Sequence, residues 1–248
     1  MAAPARIAGG GPSRRTLIAL VLFAIGFAYV ESAVVVYLRM IYEPLRATYH
    51  PESPDGELFP VLTLEQLKAE GGVHAQCLWV ELGREFSTLV ILAAVAAMCA
   101  RTIGQWFACF MIAFGVWDIF FYVWLKACID WPASIFQWDI LFLLPRLWAG
   151  PVLTPVLVSL AMILAGAIIL VREARGCPYQ PPWWSWTGIV VGAVIIILAF
   201  CWDWRHLQAG NLPRAFPWGL FAIGHAVGFG AFLAGLGWRR ANSAITPV

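Results

Sequence analysis

Two carboxylates, one guanidinium and one hydroxyl recur at helical spacing in the segment Glu81-Leu-Gly-Arg84-Glu85-Phe-Ser-Thr88. Because positions 81, 84, 85 and 88 are three or four residues apart, a helix places all four side chains on one stripe of its surface. The stripe lies in an apolar part of the chain, where an ionised group is costly. We therefore expect these residues to have partners and to belong to a functional site.

Further ionisable residues fall in neighbouring apolar segments. Glu31 lies in the first such segment, and Asp118, Tyr122 and Lys126 recur at every fourth position of the third, which predicts a second polar stripe. Asp139, just beyond that segment, is expected to cap the cluster from the outer side. The predicted catalytic set is Glu81, Arg84, Glu85 and Asp118. The predicted weaker set, for substrate contact or proton relay, is Tyr122, Lys126, Asp139 and His225.

The predicted cluster holds more carboxylates than cations, so something must neutralise the excess. Protons can do so, because desolvation favours the neutral carboxyl group. A divalent metal ion such as Mg²⁺, Ca²⁺ or Mn²⁺ can do so through oxygen ligands, and the predicted ligands are Glu31, Glu81, Glu85 and Asp118. A cationic substrate or headgroup is the third alternative. A purely structural interpretation also stays open, in which Arg84 pairs with Glu31 or Asp118 to fix helix packing.

Other familiar sites are missing from the sequence. The six cysteines form no Cys-x-x-Cys pair, and the segment around Glu81 has arginine where a di-iron site needs histidine. No Ser-His-Asp order, nucleotide-binding glycine loop or His-Glu-x-x-His helix occurs. His225 stands between glycines that permit close helix contact, so packing competes with a relay role.

The composition predicts the elements that position these residues. The chain has 248 residues, of which 61% are hydrophobic and 12% charged, with a mean hydropathy of +0.78. These values exclude a soluble globule and predict an all-α, polytopic bundle of about six transmembrane helices. The predicted spans are 16–38, 77–100, 103–126, 150–171, 186–203 and 216–237.

The distribution of arginine predicts the orientation. Eight arginines against one acid, Glu173, flank the spans on the side that we assign to the cytoplasm: Arg6, Arg14, Arg15, Arg101, Arg172, Arg175, Arg239 and Arg240. The positive-inside rule then places both termini in the cytoplasm. The predicted organisation is an N-terminal tail 1–15, a transmembrane domain 16–238 with an outer loop 39–76, and a C-terminal tail 239–248. Glu31, Glu81, Glu85 and Asp118 fall in the outer half of the membrane.

The outer segment 128–149 is too short, and too interrupted by Pro132 and Pro145, to cross the bilayer. We expect it to lie in the outer interface, either as a flat helix or as a re-entrant loop. Its tryptophans suit the headgroup region.

The partners follow from composition as well. A net charge of +2 without a basic patch excludes nucleic acid and leaves the lipid bilayer as the certain partner. Other membrane proteins, or a second copy in a homo-oligomer, stay open as further partners.

Four motifs carry a resemblance: Tyr29-Val-Glu-Ser-Ala-Val-Val-Val-Tyr-Leu-Arg39, Glu81-Leu-Gly-Arg-Glu85, Phe114-Gly-Val-Trp-Asp-Ile-Phe-Phe-Tyr122 and Trp138-Asp-Ile-Leu-Phe-Leu-Leu-Pro145. Together they resemble a group of uncharacterised bacterial multi-pass inner-membrane proteins, over roughly residues 20–160. The resemblance implies a bacterial inner (plasma) membrane location and supplies no activity.

The sequence leaves three functional hypotheses. In the first, the outward-facing cluster binds a cation or a polar headgroup, in the form of a membrane-embedded enzyme at the periplasmic face; Glu81 or Glu85 is then the metal ligand or general base, and Arg84 orients an anionic group. The second is a small ion-coupled or proton-coupled transporter. The third is an accessory or assembly subunit of a larger membrane complex.

Overall fold

The structure is a computed structural model that describes residues 11–54, 56–144 and 146–243. Most of the two predicted tails, 1–10 and 244–248, lies outside the described residues. Six long helices dominate the fold, namely α1 (Arg14–Tyr49), α3 (Gly72–Cys99), α4 (Ile103–Ile129), α5 (Leu153–Ala174), α6 (Trp183–Phe200) and α8 (Trp218–Ser243). Two short helices lie in the connections, α2 (Leu64–Ala69) and α7 (Trp204–Gln208). All six long helices are long and apolar enough to span a membrane, so the predicted polytopic helical bundle is confirmed.

The first helix continues well past its predicted end at residue 38. It begins at Arg14, where the Ser13 side chain accepts a hydrogen bond from the Thr16 backbone N–H, and it passes through Pro44 to Tyr49. At about 1.5 Å per residue its 36 residues extend about 54 Å, much more than a hydrocarbon core of about 30 Å. The more polar last part of α1, residues 39–49, therefore projects beyond the apolar run from which the boundary was predicted.

Helix α4 is the centre of the bundle. It packs against α1 on one side and α5 on the other, while α6 and α8 pair with each other. Two side chains donate to backbone carbonyls across the contact of α4 with α1: Trp124 Nε1 on α4 donates to Ile25 O at 3.0 Å, and Ser32 Oγ on α1 donates to Phe121 O at 3.0 Å. These hydrogen bonds satisfy polar groups where no bulk water is present, and they fix α1 against α4.

Two glycines allow α4 and α5 to approach closely. A Cβ at Gly115 would lie 2.6 Å from the Ser159 carbonyl oxygen, and a Cβ at Gly166 would lie 2.7 Å from the Ala108 carbonyl oxygen. Both distances are too short for a real Cβ contact, so only glycine fits at these crossings. The approach brings Ser159 of α5 within reach of Asp118, one turn along α4 from Gly115.

The outer segment between α4 and α5 is a β-hairpin, which corrects the expectation of a flat helix or a re-entrant loop. Strand β1 (Trp138–Phe142) pairs antiparallel with strand β2 (Trp148–Pro151), and the register shifts between Ile140 and Phe142. The aromatic and β-branched residues of β1 favour a strand, and the hairpin satisfies backbone groups near the membrane surface by pairing them with each other.

The hairpin belongs to a layer that we call the outer cap, made of residues 50–63, 130–151 and 203–217. Phe59, Leu147, Ala149 and Leu207 come from these three separate segments and form one buried cluster. Gln137 Nε2 also donates to Glu57 Oε1 at 3.0 Å, which links the connection after α1 to the residue that directly precedes β1. The outer cap therefore joins the connections at one end of the bundle into a single layer over the helices.

Replacing Gly115 by alanine tests the α4–α5 crossing. Alanine normally stabilises a helix interior by about 0.5–1 kcal/mol relative to glycine. At Gly115 the new Cβ would overlap the Ser159 carbonyl, so we expect Gly115→Ala to lower the thermal midpoint in detergent. Gly26→Ala is the matched control, because a Cβ at Gly26 meets no atom within 4 Å. Equal midpoints for the two variants would contradict the close crossing.

Candidate functional site

Arg84 lies between two carboxylates and links α1 to α3. Its Nε donates to Glu81 Oε2 at 2.9 Å, its Nη2 donates to Glu81 Oε1, and its Nη1 forms an ion pair with Glu31 Oε2. Glu31 is only 4% exposed, and its other oxygen accepts a hydrogen bond from Thr88 Oγ1 at 3.0 Å. The stripe predicted from helical spacing therefore does bring Glu81, Arg84 and Thr88 to one face, against Glu31 of the neighbouring helix.

Glu85 completes the stripe but contacts a different element. Both of its carboxylate oxygens accept from the Leu143 backbone N–H, at 3.1 and 3.0 Å. Leu143 directly follows β1, so the buried Glu85 side chain joins α3 to the hairpin. The hydrogen bonds orient the carboxylate towards the outer cap rather than towards Arg84.

The polar stripe predicted along α4 divides between two neighbours. Asp118 Oδ2 accepts a hydrogen bond from Ser159 Oγ at 2.8 Å, while Tyr122 donates to Asp139 Oδ2 at 2.9 Å. Lys126 is exposed and pairs with Asp130 at 2.7 Å. The expectation that Lys126 joins the cluster is therefore not met, because its partner is the residue that ends its own helix.

Asp139 is 5% exposed on β1, where it faces Tyr122 and Arg39. Burial raises the pKa of the Asp139 carboxyl to about 6, and the positive charge of Arg39 and the hydrogen bond from Tyr122 oppose that rise. Asp139 thus lies in the outer cap, and the side of the membrane that this layer faces stays a prediction.

Arg39 is a site residue that the sequence analysis missed. Its guanidinium carbon lies 4.0 Å from the centroid of the Trp131 ring, in a cation–π contact. The residue falls just after the predicted end of the first span, so it was assigned to the outer loop. Its position on the same helical face as Glu31 and Val35 would have signalled its place, had the helix been extended through Pro44.

His225 lies apart from this cluster. Its ring centroid is 4.4 Å from that of Phe221, its Nδ1 is 3.3 Å from the Phe221 carbonyl oxygen, and both residues belong to α8. It is not among the described residues that line the cavity between the other helices. The geometry therefore favours the packing interpretation over the proton relay.

The carboxylates do not converge as metal ligands. Over residues 11–54, 56–144 and 146–243, no three histidine, cysteine, aspartate or glutamate side chains are arranged to hold one metal ion. The contacts explain why: Glu31 and Glu81 point at Arg84, Glu85 points at the hairpin, and Asp118 points at α5. The predicted metal site at Glu31, Glu81, Glu85 and Asp118 is thus not assembled, because Arg84 occupies the space between two of its ligands.

These residues border a cavity of about 400 Å³ beneath the outer cap. Its walls come mainly from α1, α3, α4, α5, the hairpin and the connection after α1, and they are largely apolar, with aromatic rings such as Phe114, Trp117 and Trp148. The described carboxylate and guanidinium side chains in the lining are seven acids and three arginines: Glu31, Glu43, Glu57, Glu81, Glu85, Asp118, Asp139, Arg39, Arg46 and Arg84. The cavity is thus apolar over most of its surface, with charged groups at defined positions.

Comparisons with protein-family models, with curated proteins and with solved structures find no match to this chain. The function must therefore be argued from the site itself.

The pairing of Arg84 with Glu31 predicts that a double variant is more stable than a single variant. Arg84→Met leaves Glu31 buried without its cation, and we expect a loss of about 3 kcal/mol in the free energy of unfolding. The double variant Glu31→Gln/Arg84→Met removes both charges, so it should be more stable than Arg84→Met alone. Chemical or thermal unfolding in detergent measures all three proteins.

A control for this series is Lys126→Met, which removes a cation from an exposed pair and should change stability much less than Arg84→Met does. If the double variant were less stable than Arg84→Met, Glu31 would not depend on Arg84 for neutralisation.

The shifted carboxyl group of Asp139 predicts a pH dependence of stability. Because its pKa is raised from 3.8 to about 6, the folded protein holds a proton that the unfolded chain has already lost in this interval. The contribution of Asp139 to stability is therefore greatest below the lower value and is lost as the pH rises through the higher one. Thermal midpoints of the parent and Asp139→Asn between pH 4 and pH 7 should show a shallower decline in the variant. Parallel curves would rule out the titration of Asp139 as the cause.

Proposed function

We propose that the chain is a bacterial inner-membrane protein that binds an amphiphilic small molecule in the cavity beneath the outer cap. The observation that carries this proposal is the combination of a largely apolar lining with charged groups at fixed positions. A volume of about 400 Å³ falls in the range of about 300–1,000 Å³ typical of small-molecule pockets. An amphiphile matches both parts of the lining, with its chain on the aromatic walls and its head near the charged residues.

The predicted orientation of the bundle determines the depth of the cavity in the membrane. With the termini in the cytoplasm, as the positive-inside rule predicts, the outer cap lies on the periplasmic side and the cavity lies in the outer half of the membrane. An amphiphile dissolved in the outer leaflet is then at the same depth as the site. The lipid bilayer would supply the ligand directly.

Asp118 is the acid that we assign to contact with the polar head. It lines the cavity and accepts a hydrogen bond from a neutral hydroxyl, Ser159 Oγ, at 2.8 Å. Glu31 and Glu81 instead form ion pairs with Arg84. A head that donates a hydrogen bond or carries positive charge would supply the compensation that Asp118 otherwise has to obtain by protonation.

The contacts of Arg84 and Glu85 favour binding of a polar head over the enzymatic form of the first hypothesis. Because Arg84 is held by Glu31 and Glu81, it does not orient an anionic substrate group as first expected. Because both oxygens of Glu85 accept from Leu143, a base role would require that contact to break. Binding of the amphiphile needs neither change, so recognition is the activity that the contacts support best.

Filling the cavity tests the proposal. Val35 lines the cavity on α1, so Val35→Trp should displace the amphiphile. Val30 lies on the same helix with 53% of its surface exposed, which makes Val30→Trp a matched control for the added ring. We expect lipid extraction and mass spectrometry of the purified proteins to find a near-stoichiometric amphiphile in the parent and in Val30→Trp, and a loss of about tenfold or more in Val35→Trp.

Both variants must first elute as a single folded species, so that the loss cannot come from unfolding. Equal retention by Val35→Trp and Val30→Trp, or no amphiphile beyond bulk lipid in any of the proteins, would contradict the proposal.

A further inference from the structure

The guanidinium of Arg39 differs from those of Arg46, Arg84 and Arg214 in the hydrogen bonds that its Nε and Nη2 make. In Arg46, Nε and Nη2 donate to the two oxygens of Glu43, at 3.2 and 2.7 Å. In Arg84 the same two nitrogens donate to Glu81, and in Arg214 they donate to Asp203. The edge formed by Nε and Nη2 is the one that binds a carboxylate or phosphate with two parallel hydrogen bonds.

In Arg39 these two nitrogens are buried and have no hydrogen-bond partner among the described residues. A buried donor without a partner costs free energy, and a charged donor costs more than a neutral one. The residue nevertheless lines the cavity, and the face of its guanidinium is held on the Trp131 ring. The stacking fixes the plane of the group and leaves its donor edge for another molecule.

The carboxylates around Arg39 do not take that edge. Asp139, Glu43 and Glu57 are close enough for their charges to act on Arg39. Yet Asp139 accepts from Tyr122, Glu43 accepts from Arg46, and Glu57 accepts from Gln137. Within the described part of the chain, none of the three is hydrogen-bonded to Arg39.

A second guanidinium with unused hydrogen-bonding capacity lines the same cavity. Arg46 lies two turns further along α1, on the same face, and also lines the cavity. It is 7% exposed, and its Nη1 is buried without a hydrogen-bond partner in the described residues. Two buried arginines therefore border one region, each with at least one nitrogen whose hydrogen-bonding capacity is unused.

We propose that Arg39 forms an anion subsite, in which its Nε and Nη2 bind the phosphate or carboxylate group of the ligand. The inference rests on the proposed function and specifies the ligand's chemistry: the head of the amphiphile carries a planar or tetrahedral oxyanion. Arg39 binds that group, while Asp118, which lines the same cavity, faces hydrogen-bond donors of the same head. The head is therefore one that combines acceptor oxygens with donor groups.

The test is equilibrium binding of dodecyl phosphate and of dodecanol, each below its micellar concentration, to protein purified in a neutral detergent. We expect dodecyl phosphate to bind more tightly than dodecanol. Arg39→Gln should weaken dodecyl phosphate by about tenfold or more with little effect on dodecanol, since two charge-assisted hydrogen bonds are lost. Arg39→Lys keeps the charge without the two-pronged edge, so it should bind with intermediate affinity.

Arg146→Gln is the matched control. Arg146 also lies over a tryptophan, with its guanidinium carbon 4.8 Å from the Trp204 ring centroid, but it is exposed and outside the cavity lining. Its replacement should leave the affinity for dodecyl phosphate unchanged. A parallel titration with inorganic phosphate identifies the source of the anion: Arg39-dependent binding of phosphate alone would support the subsite with a free anion as its ligand.

Two results would overturn the inference. If dodecyl phosphate bound equally well to the parent, Arg39→Gln and Arg146→Gln, and Val35→Trp abolished that binding, the cavity would bind amphiphiles and Arg39 would not read the anion. If neither dodecyl phosphate nor dodecanol bound in a way that Val35→Trp weakened, the proposed function would fail together with the subsite.

Discussion

Arg84 binds two acids that belong to neighbouring helices, and the arrangement of this end of the bundle depends on that contact. Glu31 on α1 and Glu81 on α3 both bind its guanidinium, so the two helices are joined by charge. The remaining acids then bind elsewhere, Glu85 to the hairpin and Asp118 to α5. Burying an ion pair of this kind costs desolvation free energy, but removing its cation alone costs more. Arg84 can therefore be replaced at low cost only together with Glu31.

The contacts of these acids also shape the cavity. Arg84 holds Glu31 and Glu81, while the hairpin holds Glu85 and α5 holds Asp118, so the helices and the hairpin surround a space instead of closing on a single point. The outer cap covers that space through the cluster around Phe59 and Leu207. The result is an apolar enclosure with an ion-paired wall at Arg84, an acid at Asp118 and guanidiniums at Arg39 and Arg46. Such an enclosure suits a molecule with an apolar chain and a head that both donates and accepts hydrogen bonds.

Helical periodicity and hydropathy were sufficient to predict the six spans and the stripe of Glu81, Arg84 and Thr88, because both depend on local spacing. They could not give the partners of each acid, which depend on the crossing of α4 and α5 at Gly115 and on the path of the hairpin. Arg39 was missed because the apolar run ends before the helix does. The metal site was predicted from residue types alone, and the position of Arg84 between Glu31 and Glu81 is a tertiary fact that the spacing does not contain.

The proposed ligand of the cavity is an amphiphile whose head lies at the charged residues. An electron cryomicroscopy structure of the protein in lipid nanodiscs, at a resolution that shows side chains, tests this most directly. We expect elongated density along the aromatic walls, ending in a head within hydrogen-bonding distance of the Nε and Nη2 of Arg39. A cavity that contains only separate water-sized peaks, with Arg39 paired to Asp139, would contradict the claim.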